Sequence, residues 1–68
     1  MNIYKKPEGI LIECDQDESE LVGNALIGFA GLTRARATTE LPDAQESLAF
    51  QAERSEGMGA AILKLLAT

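Results

Sequence analysis

Two short β-prone runs, Ile3-Tyr4-Lys5 and Ile10-Leu11-Ile12-Glu13-Cys14, flank the segment Lys6-Pro7-Glu8-Gly9. Proline suits the second position of a turn and glycine the fourth, so this pattern predicts an N-terminal β-hairpin. If Lys6 pairs with Gly9, the period-two alternation of a strand groups Ile10, Ile12 and Cys14 on one face with Ile3. Glu13 then points the other way with Asn2 and Tyr4. The isoleucine face is the part of the hairpin expected to enter a core.

The pattern then changes period. Asp17-Glu18-Ser19-Glu20 precedes an apolar stretch; Asp17 and Glu20 have capping-box spacing, and the further carboxylates favour the positive end of a helix dipole. A helix over about 18–32 follows. At 100° per residue, Leu21, Val22, Ala25, Leu26, Phe29, Ala30 and Leu32 occupy one half of its wheel. Glu20, Gly23, Asn24, Ile27, Gly28, Gly31 and Arg34 fill the other. One half is bulky, and the other is small or polar.

Thr33 to Glu40 reads either as an edge strand, with Arg34 and Arg36 alternating with Ala35 and Ala37, or as an extension of the helix, and it is left as a connector. A last helix is predicted over about 43–67. Pro42 is tolerated in its first turn, and Asp43 and Glu46 again have capping-box spacing. Ala44, Leu48, Ala52, Ser55, Gly59, Ile62, Leu63 and Leu66 stay on one arc straight through Gly57 and Gly59, which argues for one helix rather than two. The middle of that arc is made of small residues.

These elements predict a single α+β domain over residues 1–68: a hairpin followed by two helices, in two layers, with the bulky faces meeting in one small core. Length then changes the picture. A chain of 68 residues buries only about 60% of its unfolded surface, and one core of that size gives a few kcal/mol of stability. Small proteins supplement this with disulfides, a structural metal or oligomerisation. One cysteine, Cys14, and no histidine leave the first two poorly supplied, so a homo-oligomer, most simply a dimer, is expected.

The N-terminal segment has no apolar run behind Lys5 and Lys6, and the longest apolar stretch, Leu21 to Leu32, is shorter than the roughly 20 residues a bilayer requires. A reducing cytoplasmic location and no membrane partner are the expectation. A net charge of −5, with basic residues scattered at positions 5, 6, 34, 36, 54 and 64, disfavours attraction to nucleic-acid backbone or anionic lipid.

Few residues invite a chemical role. Asp15, Asp17 and Ser19 alternate as in a calcium loop, but the sixth and twelfth positions are Glu20 and Leu26 where such a loop needs glycine and glutamate. Cys14 is followed by carboxylates that raise a thiol pKa, and it reads as a small core residue. With no cofactor loop either, neither a cofactor nor catalysis is expected.

The glycines carry more. Gly23, Gly28 and Gly31 each cost about 1 kcal/mol inside a helix relative to alanine. They are explained either by a tolerant solvent-facing stripe or by close approach of another backbone, with Ala52, Ser55 and Gly59 as the natural mate within the chain or across a dimer. Ile27, in the middle of that stripe, favours contact. Phe50 lies on the polar side of the last helix, and it either covers the back of the hairpin or anchors a partner.

The functional expectation is a small acidic protein-binding accessory, such as an inhibitor, adaptor or assembly factor of the kind found on phages and mobile elements, acting as a homo-oligomer on an unidentified protein partner. The alternative is nucleic-acid linked: a dimeric regulator using Arg34 and Arg36, or an acidic mimic of nucleic acid.

Overall fold

Pro7 and Glu8 form the turn that joins strands β1 (Asn2–Lys6) and β2 (Gly9–Glu13) in a computed structural model that describes all residues from Met1 to Thr68. The strands are antiparallel, with Ile3 opposite Ile12, Tyr4 opposite Leu11, Lys5 opposite Ile10 and Lys6 opposite Gly9. This is the expected register. Gly9 has a φ of 150°, a region L side chains rarely adopt, so glycine is what lets the chain re-enter the ladder after the turn.

Helix α1 runs Gln16–Ala37 and helix α2 runs Pro42–Leu66. The start of α1 lies two residues earlier than expected, because the cap is Asp15 rather than Asp17: its carboxylate accepts from the Glu18 backbone N–H at 2.8 Å, and Glu18 accepts from the Asp15 N–H at 3.1 Å. Both residue pairs have the same spacing, and the one that follows the strand directly prevails. The connector also shrinks. Residues 33–37 continue α1, and Thr38 and Thr39 close it by donating their hydroxyls to the Ala35 and Arg36 carbonyls.

The expected capping box at Asp43 and Glu46 does not form. Leu41 occupies the cap position without a side-chain bond, and Pro42 opens the helix; proline there lacks the N–H that would otherwise need a partner. From Pro42 the helix continues without a break through Gly57 and Gly59, as the phase of the arc requires.

The helices pack against each other as an antiparallel pair, Gly23 beside Gly59 and Leu26 beside Ser55. Their contact differs from the expected meeting of bulky faces. Six residues are buried: Gly23, Ala30 and Thr33 on α1, and Ala52, Ser55 and Gly59 on α2. The α2 arc is the one expected, but the α1 contact straddles the two halves of its wheel, and Leu21, Phe29 and Leu32 are exposed. Small residues let the backbones approach, so bulky neighbours are pushed to the flanks of the seam instead of filling it.

The hairpin is the second departure. Helices pack on helices and strand on strand, but the hairpin does not lie over the helical pair, and every residue of both strands is exposed. Ile3 and Ile10 are each 63% exposed, so most of the expected core face has no cover within one chain, and only its Ile12–Cys14 end borders the helices. The molecule is a slab measuring 39 × 30 × 16 Å, and the two layers expected of one domain sit beside each other. The α+β class, the element order and the hairpin register stand as expected; the layering within one chain does not.

Candidate interaction surface

The seam of the helical pair is built on glycine. A Cβ added at Gly59 would lie 2.6 Å from the Gly23 carbonyl oxygen and 2.9 Å from Ile27 Cγ1, and one added at Gly23 would lie 2.9 Å from Leu63. Backbone stands against backbone there, which only glycine permits. One turn along, Ser55 donates its hydroxyl to the Leu26 carbonyl at 2.6 Å, so the seam carries no buried polar side-chain atom without a partner. Gly23, Ile27, Ala52, Ser55 and Gly59 thus come together within the chain. Gly28 and Gly31 do not join them: both face open space.

What surrounds the seam is apolar and uncovered. Phe29 from α1 and Phe50 and Met58 from α2 line one hollow with Leu26 at its base, and these three outer side chains are 51%, 61% and 54% exposed. Phe50 therefore stands at the rim of the groove between the helices, with Glu53, Gly57 and Ala61 of α2 on its other side, and does not cover the back of the hairpin. The Arg54 guanidinium sits 5.8 Å from its ring centroid, a cation–π contact, and Arg54 lines the same hollow. At the other end of the pair, Ile12 and Cys14 line a second hollow with Ser19, Val22 and Ile62. Cys14 is half-buried there, a small apolar neighbour as its sequence position suggests.

Arg54 is the one charged side chain that lines these two hollows, and three ion pairs lie elsewhere. Arg34 pairs with Glu56 across the helices, and Arg36 reaches Glu40 at 3.6 Å on its own turn. The two arginines therefore address separate carboxylates and form no common basic patch. Among the acidic residues of the 13–20 cluster, Asp15 and Glu18 make the helix cap, and Glu18 also holds the N-terminal ammonium of Met1 at 3.0 Å. The hydrogen bond and charge of Glu18, helped by Asp15, raise that amine's pKa above its ordinary value. This ion pair ties the first strand to the first turn of α1.

Sequence reasoning identified Phe50 but missed Phe29 and Met58, its neighbours in the hollow. A signal was present. From Leu21 to Thr33 no residue is charged, and the bulky half of the wheel that holds Phe29 is wide enough to need cover from more than one neighbour. Packing against α2 satisfies one side only. No helix is long and apolar enough to cross a membrane. Comparison with known proteins returns no matching family model, no similar curated protein and no similar solved structure.

Proposed function

We propose that this chain is a non-enzymatic protein-binding accessory of the reducing cytoplasm, an inhibitor, adaptor or assembly factor, that works as a homo-oligomer whose smallest form is a dimer. One observation carries the reading: no large side chain is fully buried, the only buried hydrophobic residues are Ala30 and Ala52, and both phenylalanines are exposed. Two buried alanines flanked by half-buried Leu26, Ile27, Leu48 and Leu63 make a small core to set against the conformational entropy of ordering the chain.

The size of the deficit can be stated. The chain exposes 5343 Å², whereas a compact monomer of its mass exposes roughly 4,200 Å². Its radius of gyration is 14.0 Å, against about 11 Å for a compact chain of this length. The excess surface, roughly 1,100 Å², exceeds the roughly 800 Å² that each partner contributes to a standard interface. A second copy therefore has the area it needs, and apolar side chains are exposed in both the helical groove and the hairpin.

Sedimentation equilibrium over a wide dilution range tests this. A mass at least twice that of the 7.3 kDa chain, falling only on strong dilution, supports the reading. A folded species of single-chain mass at every concentration contradicts it. Phe29→Glu and Phe50→Glu each place a carboxylate in the apolar hollow, and each is expected to weaken association or partner binding by at least about tenfold, which corresponds to about 1.4 kcal/mol.

A further inference from the structure

A two-stranded sheet has two open edges, and here they differ. The β1 edge, Asn2-Ile3-Tyr4-Lys5-Lys6, carries two lysines, the residue type that most often guards an edge against pairing. The β2 edge, Gly9-Ile10-Leu11-Ile12-Glu13, has three aliphatic residues in its middle, no proline and a single charge at its end. Only the Ile12 end of the hairpin borders the helices, no helix runs along the β2 edge, and Ile10, Leu11 and Ile12 are 63%, 44% and 48% exposed. An unguarded, uncovered apolar edge is a template for another strand.

We infer that two copies join through this edge, β2 against β2, antiparallel about a two-fold axis at Leu11, to form one four-stranded sheet with the two β1 strands outermost. The inference rests on the self-association proposed above and specifies its geometry. For a five-residue strand meeting itself, only the register centred on the third residue pairs all five. That register sets Leu11 against Leu11 of the second copy, Ile10 against Ile12 of the second copy, and Gly9 against Glu13 of the second copy.

The charges agree with it. Lys6 pairs with Gly9 within one hairpin, so along that row Lys6 and Glu13 of the second copy stand on the same face, separated only by Gly9. Glycine presents no side chain between them, and the two long side chains can meet over it. The two-fold axis repeats this pair, and no like charges face each other across the new seam. On the opposite face Ile3, Ile10 and Ile12 of each copy merge into one isoleucine surface. Ile12 already borders Val22 and Ile62, so that surface runs on into the apolar side of the helical pair.

Site-directed disulfide formation tests the register. Directly opposed residues of an antiparallel pair have Cα atoms about 4.5–5.5 Å apart, within disulfide reach. In a Cys14→Ser background, Leu11→Cys is expected to oxidise to a covalent dimer at least about ten times faster than Ile3→Cys, because the outermost strands of a four-stranded sheet lie about 14 Å apart. If both variants associate by sedimentation but Leu11→Cys oxidises no faster, the β2 pairing is overturned while self-association stands. A wild-type chain that stays monomeric overturns the association itself. Should Leu11→Cys no longer associate, amide hydrogen exchange of the associated wild-type protein decides: slow exchange at every β2 position supports the pairing, and fast exchange at alternate β2 positions overturns it.

Discussion

At the scale of single residues, the chain concentrates its specificity in two glycines and one serine. Gly59→Ala must push the Gly23 carbonyl, a backbone atom, out of its way. The better helix propensity of alanine returns about 1 kcal/mol, less than a backbone displacement costs, so a net loss of about 1–2 kcal/mol is expected by chemical denaturation. Gly31→Ala meets nothing, and it should instead stabilise by about 0.5–1 kcal/mol. Equal effects from the two substitutions would mean that the Gly23–Gly59 contact does not exist. These positions were legible because a run of small residues on one helical arc, opposite glycines on another, has few structural uses. Gly28 and Gly31 were not distinguishable from Gly23, since all three share one half of the α1 wheel and only the crossing point of the two helices separates them.

At the scale of elements, the second helix was the most legible part, since one unbroken arc from Ala44 to Leu66 fixes both its extent and its buried side. The ends were less so. Asp15-Glu18 and Asp17-Glu20 carry equal capping-box signals, and the choice depends on where β2 releases the chain. Asp15→Ala should therefore cost about 1 kcal/mol, while Asp17→Ala, which removes only a carboxylate near the dipole, should cost a few tenths of that amount; a reversed order in thermal melts would restore the later helix start. The tie between hairpin and helix makes a separate prediction. The folded chain holds the N-terminal proton more tightly than the unfolded chain does, because of Glu18. Its stabilising contribution is complete below the unfolded amine's pKa and disappears as pH rises through the folded value, in the range above about 8. Amide shifts of Asn2 and Glu18 followed through that range should titrate together, and Glu18→Gln should abolish the effect.

At the scale of the whole molecule, the parts are consistent locally and incomplete together. The hairpin presents an isoleucine face, the helical pair presents Phe29, Phe50 and Met58, and within one chain neither covers the other. Sequence periodicity showed which faces are apolar, but periodicity is a property of each element and is silent on whether the covering surface comes from the same chain. Chain length bears on that question, because a chain of 68 residues buries only about 60% of its unfolded surface and is marginal on its own. Under the proposed self-association, folding and association are one process whose equilibrium depends on protein concentration. The most direct test is the thermal midpoint measured across a dilution series: the account predicts a midpoint that rises steadily with concentration, and a sharp unfolding transition at the same temperature in every dilution would contradict it.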